Sequence, residues 1–171
     1  MSSPPSLRPP LRPAAATGVE ALSRVALAVA HPGGPDLFAD LVHELGAALR
    51  VRAVLLAVFP EDSRTGMRTV AVTLDGRPQP GFTFPIDAAV CAAMARRPFQ
   101  CIPLAVVSHL AFDGALGGDH LQPVAALALT DTAGEPLGLL VALDRPPIVR
   151  RDARQTEALL RIVAIRASAE V

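Results

Sequence analysis

Apolar residues follow two different rhythms along this chain. From Gly18 to His31 they recur every three to four positions, at Val19, Leu22, Val25 or Ala26 and Val29, the spacing of an amphipathic helix. His31-Pro32-Gly33-Gly34-Pro35 ends it, because proline and glycine do not continue a helix. Asp36 stands as an N-cap for a second helix, Leu37 to Leu49, with an apolar stripe of Leu37, Phe38, Leu41, Leu45, Ala48 and Leu49. The rhythm then changes. Ala53 to Phe59 is continuously apolar, as a central buried strand requires. Arg68 to Leu74 alternates polar and apolar, and reads as its hairpin partner across the turn at 60–66. Asp75 to Pro78 turns again, and Phe82 to Ile86 is a third short strand.

Asp87 caps a short helix running to Arg96, and Phe99 to Pro103 is extended. Leu104 to Leu121 has no sustained period and reads as a loop with one or two short helices. Val124 to Leu129 and Leu137 to Leu143 are strands joined by Thr130-Asp131-Thr132-Ala133-Gly134-Glu135, a hairpin signal. Arg145-Pro146-Pro147 stops the second of them, and Asp152 caps a long final helix. The expected fold is α+β, a central antiparallel sheet of five to six strands. Helices 18–30, 37–50 and 153–170 cover one face and the insert 104–121 the other, since an antiparallel sheet has no crossovers to cover both. Residues 1–16 contain five prolines and read as a disordered tail, leaving 17–171 as one domain.

Composition narrows the partners. Sixteen basic residues, all arginine, balance sixteen acidic ones, and a pI near 6.9 lacks the basic excess of a nucleic-acid binder. Two cysteines, Cys91 and Cys101, are too few for a disulfide scaffold. No run of about 18 apolar residues escapes a charge or a proline, which argues against a membrane span and for a cytoplasmic chain.

Four stretches stand out over about Asp36 to Glu170. The opening helix and strand read DLFADLVHELGAALRV and AVLLAVF. The middle reads FTFPIDAAVCAAMARRPF, the hairpin PVAALALTDTAGEPLGLLVALDRPP, and the closing helix ALLRIVAIRASAEV. These stretches and the element order resemble a GAF domain. Ala89-Val90-Cys91 stands where many bacterial relatives carry Thr-Pro-Cys. The resemblance implies a non-catalytic sensory or regulatory domain of a bacterial signalling protein. Such domains bind a small molecule, or dimerise with a filled pocket, ahead of an output domain such as a histidine kinase or transcription activator. It names no cofactor. A bilin-type Cys-His step is absent, because Ala92 follows Cys91, and so is the Asn-Lys-Phe-Asp-Glu signature of cyclic-nucleotide binders.

Cys91 and Cys101, with His109-Leu110-Ala111-Phe112-Asp113, resemble the free methionine sulfoxide reductases. There a thiolate attacks sulfur, but Phe112 stands where the nucleophilic cysteine is expected, and a phenyl ring cannot attack. A redox-sensing Cys91–Cys101 pair is the other thiol reading. His109 and His120 lie in the insert without the tight spacing of a metal site. If a ligand binds, the expected lining is Phe84, Cys91, Phe99, His109, Phe112, Asp113 and Gln122, where apolar, thiol and imidazole groups converge between the sheet and segments 87–96 and 104–121. The final helix puts Leu160, Val163, Ala167 and Val171 on one stripe and leaves Leu159, Ile162 and Ile165 partly off it. Apolar residues on a second face predict a homodimer through the terminal helices.

Overall fold

The computed structural model describes residues 18–96, 101–110, 112, 114–118, 120–147 and 152–171, so the tail at 1–16 lies outside the described residues. Its elements are α1 (Gly18–Ala30), α2 (Leu37–Leu49), β1 (Ala53–Val58), β2 (Gly66–Leu74), β3 (Arg77–Pro78), β4 (Thr83–Pro85), α3 (Ala88–Met94), α4 (Leu104–Val107), β5 (Gln122–Thr130), β6 (Pro136–Asp144) and α5 (Ala153–Ser168).

The sheet runs β3-β2-β1-β6-β5, with every pairing antiparallel. β2 is long enough to carry β3 at its far end and β4 at its start, where Met67 pairs with Phe84. β1 is central, Leu55 lying between Val72 and Val141, and all six of its residues are buried. Its unbroken apolar run is explained by cover on both faces. Val54, Leu56, Leu127, Leu129, Leu140 and Ala142 join the core on the α2/α5 side. Leu55, Ala57, Ala126, Ala128, Leu139 and Val141 join the core on the α3/α4 side. The two sets alternate along each strand because successive side chains point to opposite faces. A bulge opposite Leu56 and Ala57 resets the alternation in β2, so that Val70 and Ala71 both turn toward the α2 side.

α2 and α5 lie on the sheet. α1 packs chiefly on α2 and α5 and forms an outer layer, so the three helices share one side of the sheet with α2 and α5 nearest it. α1 buries Ala21, Val25 and Ala28. It runs parallel to α5: Gly18 lies beside the Gln155 side chain, and eleven residues along each helix Arg166 Nε donates to the Val29 carbonyl at 3.2 Å. Two details differ from the expected pattern. Leu159 is buried with Leu160, Val163, Ala164 and Ala167, because α5 faces α1 and α2 as well as the sheet and so buries a wider arc. Val171 lies past the helix and is exposed, which leaves Ile162 half-buried and Ile165 exposed as the off-stripe residues.

Two of the three expected caps form. Asp87 accepts from Val90 N–H at 3.0 Å, and Asp152 accepts from Arg154 and Gln155. Asp36 makes no side-chain cap. Its backbone is already helical (φ −95°, ψ −3°) and its carbonyl takes the Asp40 N–H, whereas a cap needs an extended residue. Among the described residues no helix is long and apolar enough to cross a membrane.

Candidate functional site

The α3/α4 side of the sheet is where the sequence places its site, and its centre is aromatic. Phe84 on β4 and Phe112 in the insert meet edge to face, with ring centroids 5.2 Å apart at 74°, and Phe82 leans on Phe84 at 5.9 Å. Such T-shaped pairs are favoured because a positive ring edge meets a negative face. Met67, Val90, Met94, Val107, Leu110 and Leu116 belong to the same cluster. Phe112 is 1% exposed, and that core is packed from the protein's own side chains.

Polar groups sit at its margin. Asp87 uses both carboxylate oxygens: Oδ1 caps α3, and Oδ2 lies 2.7 Å from His109 Nε2, beyond α4. The Val90 N–H, and then His109, hold the Asp87 carboxyl below the usual carboxylate range. One turn along α3, the Cys91 thiol donates to the Arg64 carbonyl at 3.8 Å. Arg64 in turn lies over the Phe59 ring at 4.6 Å and donates to the Pro136 carbonyl at 2.7 Å, tying the β1–β2 turn to the last hairpin.

Of the expected lining residues, the structure brings Phe84 and Phe112 into one core and sets Cys91, half-buried, against it. His109 is exposed and turned to Asp87. Gln122 is exposed at the start of β5, paired with Asp144 at the end of β6 remote from Pro136. Phe99 and Asp113 lie outside the described residues. Asp87 and Arg64 were not anticipated as rim residues. Asp87 reads as a helix cap, and nothing in a spacing of 22 residues reveals that its second oxygen meets His109.

The two cysteines lie on opposite faces of the sheet. Cys101 bridges to Leu127, a residue of the α2/α5 core, and burial and the Glu157 carboxylate of α5 push its thiol up. Cys91 packs on the α3/α4 core. Both are free, and the sheet between them removes the basis of an intramolecular redox pair. Among the described residues no three His, Cys, Asp or Glu side chains are grouped as a metal site would need. One buried polar atom on β5, Thr130 Oγ1, has no hydrogen-bond partner.

A six-stranded antiparallel sheet with long helices on one side, and short helices with an irregular insert on the other, is an α+β architecture. The particular fold is that of GAF domains. No protein-family model matches the sequence, nor does any curated protein. Solved structures do. The phycoerythrobilin-bound GAF domain of a cyanobacterial phytochrome aligns over 90% of this chain and 96% of its own, at 14% identity and a TM-score of 0.61. The Aquifex aeolicus NLH2 GAF domain, in an inactive state, aligns over 86% and 89%, at 11% identity and a TM-score of 0.52. A mutant chromophore-binding domain of a Stigmatella aurantiaca bacteriophytochrome aligns over 92% of this chain at 13% identity and a TM-score of 0.62. The chain spans 62% of that last structure.

Proposed function

We propose that this chain is a non-catalytic regulatory GAF-type module that works as a homodimer through α1 and α5. The observation that carries the reading is the outward face of α1. At 3.6 residues per turn, the arc opposite Ala21, Val25 and Ala28 holds Val19, Leu22, Ser23, Ala26, Leu27 and Ala30. No charged residue falls in that arc. Glu20 and Arg24 flank it, and Arg24 faces Glu44 of α2. Val19 and Leu27 are each 73% exposed, and on α5 Ile165 is 52% exposed. α1 presents an uncharged surface, and beside it α5 presents Ile165 next to the exposed Arg161–Glu157 pair; two parallel helices so exposed make half of a four-helix bundle, which a second copy completes. Sedimentation equilibrium tests it. The expected result is a dimer at tens of micromolar, about the range of a weak association, that becomes a monomer of unchanged fold in Leu22→Glu/Ile165→Glu. A natural chain that is already monomeric overturns the proposal.

A second reading, small-molecule sensing on the α3/α4 side, is favoured by one finding. The bilin-bound phytochrome GAF domain shares this fold over 90% of the chain. No bilin attachment is proposed, since Ala92 follows Cys91. Phe112 in place of a nucleophilic sulfur, and a Cys91 thiol bonded to a backbone carbonyl, support the absence of reductase chemistry. With a thiol regenerant, free methionine sulfoxide should not be consumed above background. Turnover lost in Cys91→Ser would reverse that part.

A further inference from the structure

β2 and β3 are joined by two residues, Asp75 and Gly76, and both are left-handed, at φ +50° and +75°. That is the type I′ hairpin, for which Asp-Gly is a preferred pair. The same dipeptide is chemically labile. The backbone nitrogen after an aspartate can attack the side-chain carboxyl carbon, and a glycine there has no Cβ to hinder the approach. Among the described residues no hydrogen bond takes the Gly76 N–H. Apart from its chain neighbours, the His43 ring edge alone, at 3.8 Å, comes within 4 Å of where a Gly76 side chain would stand. The Asp75 side chain is half exposed, so water reaches both ends of the reaction.

Arg52, just ahead of β1, stands against that attack. Its Nε donates to Asp75 Oδ1 at 2.9 Å and its Nη2 to Oδ2 at 2.5 Å, while its carbonyl takes the Asp75 N–H at 2.6 Å. A guanidinium fork fixes both the position and the charge of a carboxylate. The Arg52 hydrogen bond first, and then, against some desolvation, the charges of Arg52, Arg145 and Arg77 hold this carboxyl below the usual range. Ring closure starts from the neutral acid, because an ionised carboxylate repels the nucleophile and has no hydroxyl to lose.

We infer that Asp75 is an isoaspartate-forming site that the Arg52 fork keeps closed in the folded chain. The Gly76 nitrogen bonds to Asp75 Cγ, the Cγ–OH bond breaks, and the amide hydrogen leaves with that hydroxyl as one water, giving a cyclic imide. A second water opens the imide, and opening at the former main-chain carbonyl leaves the backbone running through Cγ. Water is the only co-reactant. The added methylene lies between Leu74 and Arg77. It would disrupt their pairing, the Thr73–Pro78 pair beyond it, and the Thr73 hydroxyl bond to the Arg77 carbonyl at 3.3 Å.

The natural chain, Arg52→Met and Arg52→Lys, held in warm neutral buffer, supply the test. Methionine keeps the stem without the fork, and lysine keeps the charge without gripping both oxygens. Isoaspartate is read in the tryptic peptide 69–77, which splits into two forms of equal mass, and by labelling with an isoaspartate methyltransferase. Peptide mapping is needed because Asp113-Gly114 is a second Asp-Gly step. The expected result is slow conversion at Asp75 in the natural chain and severalfold faster conversion in both variants. In urea, where no fork exists, all three should convert at one rate, faster than the folded natural chain. A folded Arg52→Met or Arg52→Lys that converts no faster than the natural chain overturns the guarding role. If neither variant folds, the natural chain decides alone: conversion at Asp75 as fast when folded as in urea overturns the inference.

Discussion

Arg166 on α5 donates from Nε to the carbonyl of Val29 on α1 at 3.2 Å, joining two helices separated by most of the chain. Its guanidinium also pairs with Glu170 one turn on. α1 has little of the sheet to hold it, so this bond carries weight beyond the small buried areas of Ala21, Val25 and Ala28. Arg166→Met keeps the apolar stem and removes the donor. The expected cost is about 1–2 kcal/mol in urea unfolding, the range for a partly buried charged hydrogen bond. Hydrogen exchange should show α1 losing protection ahead of the sheet.

Among the described glycines, Gly138 leaves the least room for a side chain. A Cβ there would lie 2.2 Å from the Ala57 carbonyl oxygen and 3.0 Å from Leu129 Cδ1. β6 cannot move away without giving up its ladder with β1. Gly138→Ala should therefore cost about 3 kcal/mol, the upper end for overpacking. Thermal melts against Gly34→Ala, where nothing lies within 4 Å, supply the comparison.

Asp75 sets part of the acid limb of stability. Arg52 reaches it with Nε at 2.9 Å and Nη2 at 2.5 Å, and that side-chain hydrogen bond holds its carboxyl below the usual range, against some desolvation. A depressed folded value means the contribution is present above the unfolded pKa, near about 4, and is lost as pH falls through the lower folded one. The Asp75 side chain is half exposed, so screening limits the effect to about 0.5–1 kcal/mol. Unfolding of Asp75→Asn should fall less steeply than the natural chain below about pH 4, and about 1 M salt should shrink the difference.

The cysteines should behave independently. A mild oxidant such as diamide should yield no intramolecular Cys91–Cys101 disulfide, read by intact mass under non-reducing conditions, because the sheet stands between the thiols. Cys101, although exposed, should be alkylated only above the pH range of an ordinary thiol, since partial burial and Glu157 push its pKa up. Formation of the internal disulfide in the folded state would contradict the placement of the two side chains.

Much of this protein is legible in its sequence, and the legible part is local. Hydrophobic period separates α1, α2 and α5 from the strands, because 3.6 and 2 residues per repeat are set by backbone geometry alone. Asp87 and Asp152 announce caps correctly for the same reason, while Asp36 fails because its own backbone was drawn into the helix. The unbroken run at β1 reveals a strand covered on both sides before any partner is known. What only the tertiary structure decided involves residues far apart in the chain. α1 became an outer layer on α2 and α5 because those two helices already occupy the sheet. The arc of α5 that is buried, Leu159 included, depends on neighbours that helical period cannot see. Asp87 meeting His109, Phe112 meeting Phe84, and Cys91 parting from Cys101 were decided by how the insert and the strand edge close around the sheet, a matter of long-range packing that leaves no period in the sequence.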